Sequence, residues 1–194
     1  MSKIALTPDN GGTGIFTIAS PGTNTDRTLT LADNTGTVLT TASTVIQKAM
    51  PAFRAYKTSA QTISSSTFTK VSLQAESFDV TNAFDSTTNY RFQPTVAGYY
   101  QANGTIIFES TSTFTRGILT IRRNGVEGDN YGRMVDVNNS TGAFIQLSGS
   151  ALFYLNGSTD YLELWAWASG TGTLTVGSAD SNTSVLSGFL AGVA

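Results

Sequence analysis

A chain of 194 residues is long enough for one well-buried domain and an appendage, but too short for two full domains. Charged residues are only 12% against 40% hydrophobic, a balance that excludes a disordered chain and a charge-laced helical bundle. The formal charge of -2 offers no general field for nucleic acid or an anionic membrane, and residues 1–50, with three basic and three acidic groups, are no exception.

The start, Met1 to Pro8, has one lysine and no apolar run of the length an export signal needs. No later stretch approaches the roughly 20 apolar residues of a membrane-spanning helix. The expectation is synthesis in a cytoplasm, with any work outside the cell depending on release by lysis. Gly11-Gly12-Thr13-Gly14 opens a short strand, Ile15 to Ala19, closed by Pro21-Gly22. Thr28 to Leu31 alternates Thr with Leu, and Asn34-Thr35-Gly36 turns the chain into Thr37 to Thr40. Such short strands enclose no core, so neighbours must order them. Val45, Ile46, Ala49 and Met50 stand at helical spacing before Pro51, which reads either as a turn or two of helical neck or as a plain linker.

From Pro51 onward, period-2 segments alternate with turn signals, the pattern of an antiparallel sandwich or barrel. Tyr100, Ala102, Gly104, Ile106 and Phe108 share one face of a long strand, and Gln101, Asn103, Thr105 and Glu109 share the other. Asn124-Gly125 suits positive φ at both central positions of a tight turn, which predicts a hairpin from Ile118–Arg123 into the next strand. Ile145, Leu147, Gly149, Ala151, Phe153 and Leu155 form a second inward row, and Asn156-Gly157-Ser158 turns it into Tyr161 to Ala168. There Leu162, Leu164, Ala166 and Ala168 oppose Tyr161, Glu163, Trp165 and Trp167, so the row outside the sandwich needs cover, from a second subunit or from the chain's own loops. A buried aromatic is worth roughly 4–6 kcal/mol gross. Association costs on the order of 4–15 kcal/mol, so a few such residues suffice to hold an oligomer.

Four fragments carry a resemblance: Pro51-Ala52-Phe53-Arg54-Ala55-Tyr56, Phe92 to Tyr100, Leu155 to Leu164, and Ser184-Val185-Leu186-Ser187-Gly188-Phe189-Leu190. In order and spacing, residues 51–194 resemble the globular-head jelly roll of the complement first-component family, shared with tumour-necrosis-factor-like proteins. In the turn near residue 157 the family's usual Gly-Asp pair is broken up. The resemblance implies an all-β, ten-stranded antiparallel jelly-roll head, assembled as a homotrimer about an axis lined by apolar and aromatic residues. Phe144, Trp165 and Trp167 are the candidates for that axis.

The segments Gly14 to Ile18, Pro21 to Leu31 and Asn34 to Leu39 resemble a stretch recurring in phage tail fibres and other virion appendages. The two resemblances together imply a bacteriophage virion structural protein. Residues 1–50 form an attachment arm and neck that bind other virion proteins, and residues 51–194 form a head that projects toward a host surface. Capsid decoration, as a cement protein stabilising the phage head, is the alternative.

Zero histidine and zero cysteine remove the commonest general base, thiolate zinc sites and Ser-His or Cys-His nucleophiles, and leave no disulfide to staple the fold. The expectation is a non-enzyme without cofactor or metal. Glu127, Asp129 and Asp136 lie close in sequence and are candidates for the carboxylate pair of glycoside cleavage; a solvated hairpin rim beside Arg133 is their simpler reading. Some relatives bind calcium near the trimer axis, but no Asp-x-Asp-x-Asp-Gly loop supports it. Gly12-Thr13-Gly14 lacks the third glycine of a dinucleotide loop, and no Gly-Lys-Ser/Thr end marks a phosphate loop. Arg116, Arg122, Arg123 and Arg133 are candidates for contact with an acidic host glycan or a capsid surface, with solubility an equal account of them.

Overall fold

The computed structural model describes Gly11, Gly22 and residues 50–126, 134–141, 144–177 and 184–194, giving only the backbone for 134–141 and 144. The chain divides into two units, Met1–Thr40 and Thr41–Ala194. The expected strands of residues 15–40 lie outside the described residues, as does the expected neck except Met50.

Every regular element described is a β-strand: β1 (Ala52–Tyr56), β2 (Gln61–Ile63), β3 (Thr69–Lys70), β4 (Ala75–Asp79), β5 (Phe84–Asp85), β6 (Arg91–Phe92), β7 (Gly98–Ser110), β8 (Thr113–Arg123), β9 (Met134–Thr141), β10 (Phe144–Leu155), β11 (Leu162–Gly170), β12 (Leu174–Val176) and β13 (Val185–Val193). All pairings are antiparallel and fall into two sheets. In the first, β7 is the hub. β10 runs along one edge of it from Gly98↔Leu155 to Glu109↔Phe144. β13 and β12 share the other edge, followed by β1 and β4, with β2 against β12. The second sheet runs β5-β6-β11-β8-β9, with β3 also on β11.

The two expected inward rows face each other across the sandwich. Tyr100, Ala102, Ile106 and Phe108 are fully buried, as are Leu162, Leu164, Ala166 and Ala168 opposite them. Gly104 belongs to the same row because a Cβ there would press on Leu164 Cδ1. Aromatic stacking fastens one end of the core: Phe53 lies 4.0 Å from Phe92 at 12° and 5.4 Å from Phe84. Tyr100 meets Phe92 edge-on, and its hydroxyl donates to the Val96 carbonyl at 2.7 Å. Burial pushes that phenol up to about 12.

The turn chemistry expected from Asn-Gly is present at the end of β8, which pairs antiparallel with β9. Asn124 and Gly125 have φ of 57° and 71°, and Val126 N–H donates to Arg123 O at 3.2 Å. The described ladder between β8 and β9 starts at Leu119↔Met134, a register that a two-residue hairpin at 124–125 does not give. The turn is also tied to the β10–β11 connection: Asn124 Oδ1 accepts from Tyr161 N–H and its Nδ2 donates to Asp160. Gly157, at φ 70°, closes that connection against the backbone of Val96 and Ala97, where a Cβ has no room.

Candidate assembly face

Trp165 and Trp167 stand on the outer face of the second sheet, and the chain supplies most of their cover. Arg122 lies between two rings, 4.5 Å from Trp165 and 4.3 Å from Phe68, in the segment leading into β3. Arg116 sits over Trp167 at 5.6 Å. Lys70 pairs with Glu163 at 3.1 Å, and Glu163 also accepts from the Trp165 indole N–H at 2.9 Å. Ile118, Thr120, Arg122 and Glu163 are buried on this outer row, which is unusual for the solvent side of a sheet. Phe144 belongs to the other sheet, its backbone paired with Glu109 of β7.

Among the four arginines singled out, Arg122 is buried between rings rather than presented to a partner. Arg123 donates to the Tyr154 carbonyl at 3.2 Å, and Arg133 lies outside the described residues. Glu127 and Asp129 also lie outside them, and of Asp136 only the backbone, paired with Gly117, is described. The best-bonded carboxylate, Asp85, holds a turn: it accepts from the N–H groups of Thr88, Thr87 and Asn89 and from the side chains of Thr87 and Asn89. Those bonds, that of Thr88 foremost, hold it well below the usual carboxylate range.

The large apolar side chains left in solvent gather elsewhere, on the outer face of the first sheet. Tyr99 is 48% exposed, Tyr154 41%, Leu152 49%, Phe189 49% and Phe78 49%. Register brings them together: Leu152, Gln101, Phe189 and Ala52 form one lateral row across β10, β7, β13 and β1. Tyr154 and Tyr99 form the next row, with rings 5.6 Å apart. Exposed Met50, Val80 and Val193 lie at the same end of the sheet. Further along the face the surface turns polar and uncharged. Asn103, Thr105, Ser148 and Ser150 flank the paired glycines Gly104 and Gly149 in a shallow depression of about 390 Å³.

Sequence reasoning missed this band because each residue is an isolated outward position until three strands align. A local signal exists in Ala151-Leu152-Phe153-Tyr154-Leu155, an unbroken apolar run in a strand that otherwise alternates.

At the opposite end, Lys57 is buried with no ion-pair partner among the described residues. Its Nζ donates to Ser72 O at 3.1 Å and Gln61 Oε1 at 3.3 Å, and a side chain in place of Gly177 would crowd its stem. Burial pulls the ammonium down to about 8.

No protein-family model matches this chain, and no curated protein does either. Solved structures do. Murine APRIL at pH 8.0 aligns over 72% of this chain and 98% of its own with a TM-score of 0.52 at 11% identity. The Eiger TNF of S. frugiperda aligns over 74% of this chain and 92% of its own, at 0.51 and 12%. The domain is a tumour-necrosis-factor-like jelly roll. At such identities the likeness is one of fold, and the jelly roll expected from the four fragments of residues 51–194 is the one found.

Proposed function

We propose that this chain is a non-enzymatic bacteriophage virion protein, a homotrimeric appendage whose residues 1–50 attach it to other virion proteins and whose jelly-roll head projects toward a host surface. The observation that carries the reading is the aromatic band of Tyr99, Leu152, Tyr154 and Phe189. Three half-exposed aromatics and Leu152 leave about 400 Å² of apolar surface in water, at the scale where exposed patches signal contact with a partner. That is half of the roughly 800 Å² per partner in a standard interface. Burying it contributes about 10 kcal/mol gross per copy, within the range that association costs. No charged residue interrupts the row from Leu152 to Ala52, as suits an interface core. Placing this face on the threefold axis leaves the tryptophan and arginine surface of the second sheet pointing outward.

The virion assignment rests on the likeness of residues 14–39 to tail-fibre segments. Three linked copies give avidity toward a repetitive surface without a strong single site. Electron-microscopic reconstruction of a particle containing this chain tests the whole reading. Three-chain projections at the tail, few per particle, are expected. Many copies at capsid symmetry positions would transfer the protein to capsid decoration, and absence from purified particles would end the virion reading.

A further inference from the structure

Both tryptophans of the chain stand on one face, the outer side of the second sheet, and each carries an arginine. Arg122 is sunk between Trp165 and Phe68 and holds the two rings in place. Arg116 is placed differently. It is half-buried, 5.6 Å over the half-buried Trp167, and among the described residues it has no carboxylate partner and its Nε meets no acceptor. A guanidinium lying over a ring uses its flat face for the stack and keeps its N–H groups in the plane, directed at whatever comes alongside. The acidic residue of β11, Glu163, is already engaged by Lys70 and by the Trp165 indole N–H. Lys70, Arg116 and Arg122 against Glu163 make three cations to one carboxylate, so this patch is positive by two charges on a chain that is negative by two.

We infer that this face binds a carboxylate-bearing polysaccharide, Arg116 taking the carboxylate and Trp167 with Phe68 taking the apolar C–H side of the neighbouring sugar ring. The inference names a ligand for the outward face, and it rests on the assembly that turns the first sheet inward. A planar fork matches a carboxylate with two parallel hydrogen bonds, and the negative face of an aromatic ring attracts the C–H edge of a sugar. Phe68 leans on Trp167 at 6.4 Å and 49°, so the two rings form a bent platform and not a single plane. Beside Arg116, the hydroxyls of Thr115 and Ser169 lie 2.7 Å from each other and offer partners to sugar hydroxyls. Two net charges are too few for nucleic acid, which carries one charge per roughly 1.7 Å of duplex. Because Arg122 already fixes Phe68 and Trp165, little side-chain freedom is lost on binding.

Since no tryptophan lies elsewhere in the chain, intrinsic tryptophan fluorescence reads this face alone. The test titrates the full chain with polygalacturonate and with alginate, using dextran as the neutral counterpart. A saturable change with a uronate polymer and none with dextran is expected. Arg116→Gln is expected to weaken binding about tenfold or more, and Arg116→Lys, which keeps the charge and loses the fork, to recover only part of it. Ser169→Glu sets a carboxylate beside Arg116 and is expected to block binding; it serves if Arg116→Gln lacks the native circular dichroism. Silence with both uronate polymers, an equal response to dextran, or undiminished affinity in the folded variants overturns the inference. Light scattering on the same samples keeps the two readings apart: a trimer that ignores the polymers overturns the ligand and leaves the assembly, and a monomer that binds them does the reverse.

Discussion

Phe189→Asp separates assembly from folding. The outer half of the ring lies in solvent, about 100 Å² of an aromatic side chain, while its backbone holds β13 between β7 and β1. Losing that area from an interface costs about 2.5 kcal/mol per copy, or roughly 7 kcal/mol over three copies, before counting the carboxylate set among tyrosines. At 1.4 kcal/mol per decade the three-body dissociation constant rises by about five decades. The concentration of half-dissociation follows its square root, a rise of about 10²–10³-fold. Sedimentation equilibrium over a dilution series reads this midpoint, and far-ultraviolet circular dichroism shows whether the sheet persists. A folded variant that dissociates at the native concentration refutes the placement of the threefold contact on this band. A native chain that stays folded at 20.4 kDa at every concentration refutes association altogether.

Three further outcomes follow from the geometry. Lys57 is held at about 8 against an ordinary 10.5, so between those pH values the unfolded chain binds a proton that the folded chain does not, and stability rises with pH. Below pH 8 both states are protonated and the burial cost, on the order of 3 kcal/mol at most, is fully present; Lys57→Met is expected to raise the denaturation midpoint at pH 7 and flatten the rise toward pH 10, and parallel native and variant profiles would reject the assignment. Arg122→Ala removes the cation between Phe68 and Trp165 and is expected to cost about 1–3 kcal/mol in denaturant unfolding with the association midpoint unchanged; a shifted midpoint would return the tryptophan face to the subunit contact. Gly157→Ala forces a Cβ into the backbone of Val96 and Ala97 at positive φ and is expected to lose at least 1–3 kcal/mol, so a neutral result would mean that the turn does not pack as described.

The long strands were legible because their faces differ: β7 alternates along most of its length and burial follows it, and β10 and β11 each keep one inward row although their other faces carry apolar residues too. β2, β3, β5 and β6, of two or three residues, carry too little pattern to be read and are defined only by their pairing at the sheet margins. The Asn124-Gly125 turn was legible in its backbone, and β8 does pair antiparallel with the following strand; its side-chain bonds to Tyr161 and Asp160, across the sheet, were not legible. For the site, composition pointed to the tryptophans, the largest apolar residues on an outward row. What covers them, Phe68, Lys70 and the arginines of β8, comes from distant parts of the chain that only the sheet pairing brings near. Tyr99, Leu152 and Phe189 were inconspicuous singly and became a band through register.

The last strand of the chain is not the last strand of its sheet. β13 lies between β7 and β1, so the first sheet has a gap at its middle until residues 185–193 arrive. Both of its pairings join segments far apart in the chain, and contacts of that kind form slowly because a long loop must close before they give anything back. Until then β1 and β4 have no route to β7, and Ala102 and Phe53, which both meet Gly188, face an open slot.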